Sequence, residues 1–234
     1  MFFRRPGMFD RVVEVFRYSD MSLLYLCAKR LKSFDIGLCG ECEKLFVLLE
    51  GGCVVGGYEL FERDMLYLPR GVGEARVVCG GGCVIYVLQV GAAKSFRPYV
   101  KRFGEAKGVV VGDSRSRRVR YVLVGEEDNS ERILAGYTFC EPGSWGSYPP
   151  HRHDDMYEVF VYFGLDPYFG IQTVLDEDGE EVYIVRDYDI VLATHGYHPN
   201  VSTPARGMRY LWVMVSKTSS KKHRVDIHPL YRSS

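Results

Sequence analysis

Short runs of β-branched and aromatic residues, broken by glycine, fill the chain. In the first half they are Lys44–Glu50 (KLFVLLE), Cys53–Tyr58, Met65–Pro69 (MLYLP), Ala75–Cys79 and Cys83–Val90. In the second half they are Val109–Val111, Val119–Val124, Arg132–Cys140, Tyr157–Phe163, Gly170–Leu175, Glu181–Arg186, Asp189–Ala193 and Arg209–Val215. Each run has the length of a strand, and turn residues bound most of them. Helical spacing is almost absent; only Phe9–Phe16 allows one short helix. Many evenly spaced short strands predict an all-β sandwich or barrel.

The order of these runs repeats. EKLFVLLEGG is followed by MLYLPRG, and YEVFVYFG is followed by IVLATHG. Each half thus has a glutamate, an apolar strand, a glycine turn, and a second apolar strand ending at a turn: Pro69-Arg70-Gly71 in one, Thr194-His195-Gly196 in the other. The pattern loosens between Phe96 and Asp113. The expected division is an N-terminal domain over residues 1–105 and a C-terminal domain over 106–234.

Composition narrows the function. Acidic and basic residues balance at 30 each, so no whole-chain field favours nucleic acid or an anionic membrane. The basic run Arg115–Arg120 is short and reads as a solvated linker. No stretch reaches the roughly 20 apolar residues of a membrane helix, and the N-terminus lacks the apolar core of a signal peptide. The expectation is a cytoplasmic protein with no membrane or nucleic-acid partner. Of the seven cysteines, Cys39 and Cys42 form a C-x-x-C without a second such pair. Half a zinc site, a redox pair, a structural disulfide and plain turn cysteines all stay open.

The candidate chemistry lies in Tyr148-Pro149-Pro150-His151-Arg152-His153-Asp154-Asp155-Met156-Tyr157-Glu158. Histidines two apart on an extended segment share a face, so both imidazoles can reach one ion. Glu158 opens the next apolar strand and adds a carboxylate. His198 follows a later strand in Gly196-Tyr197-His198-Pro199. Three imidazoles and one carboxylate suit one divalent metal, with positions left for substrate: Zn first, and Mn, Fe, Co or Ni as alternatives. A single H-x-H is weak evidence, whereas four such groups in this order form a joint pattern. Asp154 and Asp155 read either as acceptors that orient the histidines or as solvated loop charge.

The arrangement G…H-x-H-x4-E-x5-G followed by G-x-H resembles the two signature motifs of the cupin superfamily. Trp145-Gly146-Ser147-Tyr148-Pro149-Pro150-His151-Arg152-His153-Asp154 resembles a segment of 5-deoxy-glucuronate isomerases. Phe169-Gly170-Ile171-Gln172, Gly196-Tyr197-His198-Pro199, Tyr210-Leu211-Trp212-Val213-Met214 and Arg118-Val119-Arg120 match that family in the same order. The short spacing from His153 to Glu158 is more similar to 4-deoxy-L-threo-5-hexosulose-uronate ketol-isomerases. The resemblance implies two tandem cupin barrels (double-stranded β-helix, jelly-roll), the first without metal ligands. In that first half Glu43 stands where a motif glutamate would, and Gly71-Val72-Gly73 where the last histidine would.

The resemblance further implies an aldose–ketose isomerase acting on a deoxy-uronate sugar acid, as a homo-oligomer. His195 and Glu158 are its candidate catalytic residues. Arg209, Tyr210, Gln172, Tyr148 and Arg120 are candidates for holding the substrate. A different metal-dependent cupin enzyme of the dioxygenase type, or a non-catalytic sugar-binding cupin, are the alternatives.

Overall fold

The computed structural model describes residues 1–7, 9–177 and 179–232. Among the described residues there is no α-helix; apart from two 3-10 turns at Phe103–Glu105 and Pro229–Tyr231, the regular structure is β-strand. The all-β expectation holds. The short helix expected over Phe9–Phe16 does not form. Val12–Tyr18 is instead a strand pairing with Met21–Ala28. Its three valines are β-branched and lose side-chain freedom in a helix, whereas a strand accommodates them.

The chain folds as two compact units, and they are not separated by one cut between 105 and 106. One unit comprises Pro6–Ala106 with Glu127–Arg132; the other comprises Met1–Arg5, Lys107–Glu126 and the chain from Ile133 onward. Each returning segment has a physical anchor. Phe2–Phe3 adds an edge strand to Ile190–Ala193. In the other unit, the backbone N–H groups of Glu131 and Arg132 each donate to Glu43 at 2.8 Å.

The first unit is one sheet bent over its own core. Its long strands Cys42–Val55 and Glu74–Gly91 pair along most of their length through register shifts. Phe46, Leu48, Leu66, Val77, Ile85 and Val87 are among the residues that fill the interior. Each such side chain, fully buried, stabilises by roughly 1.5–3 kcal/mol. Two disulfides join Cys39 to Cys42 and Cys79 to Cys83. The C-x-x-C is therefore a bonded pair here.

The second unit has a seven-stranded and a four-stranded sheet. Alternation along Met156–Phe163 sends Met156, Phe160 and Tyr162 into a core shared with Tyr210, Trp212, Met214 and Val185. Glu158 has the same parity and is buried as well.

Register corrects one expectation for the first unit. Glu158 pairs with Ala193 and Met214. Lys44, not Glu43, holds the matching place, pairing with Leu68 and Gln89. Glu43 has the opposite parity and accepts from Tyr67 Oη (3.0 Å) as well as from the two backbone amides. Lys44 is fully buried, and its Nζ donates to Pro69 O (3.1 Å) and Val72 O (2.7 Å). Burial pushes its ammonium down to about 8 from its ordinary 10.5, with the Glu41 carboxylate acting in the opposite direction.

The unfolded chain therefore binds the Lys44 proton more tightly than the folded protein between about pH 8 and 10.5. Stability attributable to this group must rise with pH across that window, by at most about 1.4 kcal/mol per pH unit. We predict that the Lys44→Met variant loses this rise. Denaturant unfolding from pH 7 to 10.5 checks it: a wild-type minus variant difference that stays flat with pH contradicts a depressed Lys44.

Candidate metal centre

Four local structures bring the ligating groups together. His151–Arg152 is a two-residue strand paired with Asp226–Ile227. His153 follows it and ends at a tight turn, where Met156 N donates to His153 O. Glu158 lies in Met156–Phe163 and faces the core. His198 leaves a turn at Gly196, whose φ is +76° and whose added Cβ would meet Leu175 O at 3.0 Å. That turn favours glycine both for its left-handed backbone and for the close approach.

One ring nitrogen from each of His151, His153 and His198 lies within 4.8 Å of the other two. Among the described residues this is the group whose atoms come close enough to share an ion. Glu158 flanks it, with Oε2 3.0 Å from His198 Nε2 and 4.0 Å from His153 Nε2. All four expected ligands are thus brought together.

The other nitrogen of each ring is fixed by the backbone. His151 Nδ1 donates to Pro149 O (2.8 Å), His153 Nδ1 to Arg224 O (2.8 Å) and His198 Nδ1 to Gly196 O (2.9 Å). A carbonyl only accepts, so each neutral ring carries its proton on Nδ1 and keeps the Nε2 lone pair for a cation. Burial pushes His151 down to about 4, with neighbouring His198 adding to the effect. Burial lowers His153 too. Both rings are neutral at pH 7, as metal ligation requires.

His198 and Glu158 test the fit to a metal. Their Nε2 and Oε2 atoms are buried and make no hydrogen bond, although they face each other at 3.0 Å. Two buried lone pairs at that distance call for a cation between them, either a proton or a metal ion. Burial alone would lower His198 and raise Glu158; each group reverses the shift on its partner, so His198 rises and Glu158 falls. The donor set, three imidazoles and a carboxylate, fits a divalent ion.

His195 lies at the rim of the same cleft, which His153, Glu158, Ala193 and His198 also line. It is exposed, with Nε2 2.7 Å from Asp176 Oδ2 and Nδ1 2.8 Å from Thr194 Oγ1. Asp176 escaped the sequence reading, because only the bridge between Leu175 and Tyr197 places it there. No local spacing signals that contact.

The expected substrate-holding residues divide sharply. Arg209 pairs with Phe163, five positions along the ladder from Glu158. That is about 17 Å towards the other end of the strand. Its guanidinium packs over Phe139 instead. Arg120 is exposed opposite Thr138, which in turn pairs with Tyr210, also remote from the ligands. Tyr210 is buried beyond Phe160: its ring is 5.6 Å from that of Phe160, which is 5.7 Å from His198.

Gln172 is fully buried, and its polar atoms are all engaged. Its Oε1 accepts from Tyr162 and Asn200. Its Nε2 donates to His198 O (2.8 Å) and Pro199 O (3.1 Å). Gln172 therefore holds the turn carrying His198. Tyr148 stands three residues before His151; its carbonyl accepts from Arg118, and its ring packs against Trp145 and Tyr231.

Comparison with known proteins places this geometry. The profile of the KduI/IolB family matches residues 10–231. The chain belongs to the KduI/IolB family. Among the curated relatives, a 5-deoxy-glucuronate isomerase of Geobacillus thermodenitrificans is 32% identical over 121 residues, covering 47% of this chain and 44% of the relative. A 4-deoxy-L-threo-5-hexosulose-uronate ketol-isomerase of Cereibacter sphaeroides is 25% identical over 177 residues, covering 74% of this chain and 63% of the relative. The chain thus spans under half the length of the first relative and under two thirds of the second.

In structure, an IolB-like protein from Salmonella typhimurium superposes with a TM-score of 0.82 at 18% identity, covering 94% of each chain. Oxalate decarboxylase of Bacillus subtilis superposes at 0.65 and 11% identity, covering 89% of this chain and 71% of that one. These likenesses establish the cupin fold. No helix among the described residues is long and apolar enough to cross a membrane.

For this KduI/IolB family member, the His151→Ala and His198→Ala variants are each expected to lose most of the bound metal while remaining folded. Metal content by plasma mass spectrometry on purified wild type and variants checks it. Equal stoichiometry in all three proteins contradicts the ligand assignment.

Proposed function

We propose that this protein is a metal-dependent aldose–ketose isomerase acting on a deoxy-uronate. One observation carries the reading: three imidazoles with their Nδ1 protons fixed, and one carboxylate, converge beside a cleft in a family whose named relatives isomerise two such sugar acids. The ligands are His151, His153, Glu158 and His198. Zinc is the first expectation, since it is commonly held by this mixture of nitrogen and carboxylate donors. In this reading the first unit is a cupin barrel without metal ligands, with Lys44 in the place of Glu158.

The reaction moves hydrogen between neighbouring carbinol and carbonyl carbons. A divalent metal bound here supplies Lewis-acid polarisation of the carbonyl and charge stabilisation. The chain itself must supply the proton transfer, and the position of His195 at the cleft rim supports it as the base. Asp176 accepts from His195 Nε2–H, leaving Nδ1 as the basic nitrogen. Thr194 Oγ1 occupies that nitrogen now, and a substrate C–H would take its place. Glu158 stays ionised beside the ligating histidines and serves as a ligand.

NMR of the zinc-loaded protein with 5-deoxy-glucuronate and with 4-deoxy-L-threo-5-hexosulose-uronate in deuterated water tests this. We expect one of the two to interconvert, with deuterium entering at the carbon next to the carbonyl. The His195→Gln variant should keep its metal and lose about 10²–10⁴-fold in kcat. Conversion of neither acid by metal-loaded protein contradicts the isomerase. Conversion without deuterium, or full activity in His195→Gln, removes His195 from the mechanism.

A further inference from the structure

The chain does not end with the last strand of the second unit. After Arg209–Ser216 it turns back and runs along the segment that carries the first two histidines. Lys217 N donates to Asp155 O (3.0 Å), and Lys217 Nζ to Asp154 O (2.9 Å). Arg224 N donates to Asp155 Oδ2 (3.3 Å), while Arg224 O accepts from His153 Nδ1 (2.8 Å). Asp226–Ile227 pairs with His151–Arg152, and the Asp226 carboxylate takes Arg152 Nε at 3.2 Å. His228 N donates to Pro150 O (2.9 Å). Every residue from Pro150 to Asp155 is thus bound by the returning segment.

The dependence is unusual in its detail. His151 sits in a strand that pairs with no other strand: the two form a separate two-stranded sheet. Such a ribbon is at best marginal alone. The tautomer of His153 is set by a carbonyl belonging to the same segment, and Asp155 in turn holds that residue's amide. Arg224 thus sets the ring direction of His153, while the backbone of His151 is held by the Asp226–Ile227 ribbon and by His198 N, which donates to His151 O at 3.3 Å. A metal that pulls His151 and His153 together stabilises the surface on which the segment lies.

We propose that residues 217–228 form a strap whose docking is thermodynamically coupled to metal binding. The strap holds His151 and His153 in ligating register, and bound metal holds the strap down. Linkage makes the two effects equal in size. Asp155 and Asp226 are positioning residues, acting through Arg224 and through Arg152. The proposal rests on the metal-centre reading above, and the strap carries exposed Lys222 and Arg224.

Hydrogen exchange of the full-length protein, with and without stoichiometric Zn²⁺, reads the coupling directly. Zinc should slow exchange across residues 217–228 by about tenfold or more and protect Lys222 and Arg224 from trypsin. Asp155→Ala and Asp226→Ala should each weaken zinc binding by about 10–100-fold in competition with a chelator, the range typical of residues that orient metal ligands. Identical exchange in zinc-loaded and zinc-free wild type overturns the strap while leaving the metal centre intact. Unchanged zinc affinity in both folded variants does the same. Wild type that binds no zinc overturns the metal centre and the strap together. The wild-type comparison needs no variant, so a misfolded Asp155→Ala does not blunt it.

Discussion

The arrangement of the second unit depends on one kind of hydrogen bond made three times: an imidazole Nδ1–H donated to a backbone carbonyl. Pro149, Arg224 and Gly196 supply the acceptors. Each bond fixes a tautomer and a ring direction together, so the three Nε2 lone pairs point to one place without further adjustment. The cost of that arrangement is electrostatic. Leaving buried polar atoms such as His198 Nε2 and Glu158 Oε2 without partners costs about 1–3 kcal/mol each. A cation between them, a proton or a metal ion, reverses that cost.

The two units carry different charged groups at matched positions. In the second, a carboxylate at Glu158 faces histidines. In the first, Lys44 stands in the matching register and its ammonium ties the turn at Pro69 and Val72 by two carbonyls. Gly71 and Gly196 both adopt positive φ, +92° and +76°, three residues after the paired strand positions Leu68 and Ala193. A lysine brings its own charge and needs no ion, so the duplicated turn persists where histidines are absent.

The sequence made the four candidate ligands legible because their signals are local. Two histidines two apart on extended chain, a glutamate at the head of an apolar run, and a histidine behind a glycine turn all follow from short-range backbone rules. Most of the longer strands were legible for the same reason; Met21–Ala28 and Lys32–Gly37 were not among the expected runs, and at Val12–Tyr18 a sparse apolar spacing imitated a helix. What stayed hidden is long-range. Asp176 reaches His195 only through the bridge of Leu175 to Tyr197, and Arg224 reaches His153 only after the chain doubles back. Arg209 and Arg120 lie away from the histidine cluster because strand position decides which end of a sheet a side chain occupies, and a lone sequence does not say which end carries the cluster. Lys44 was passed over for Glu43 because residue type was weighed above strand parity; a one-residue shift moves a side chain to the other face.

X-ray absorption spectroscopy at the zinc edge of the loaded protein bears most directly on the central claim. The account predicts a first shell of nitrogen and oxygen only, at about 2.0–2.2 Å, with the multiple-scattering signature of three imidazoles. A sulfur shell near 2.3 Å, or fewer than three imidazoles, would contradict it.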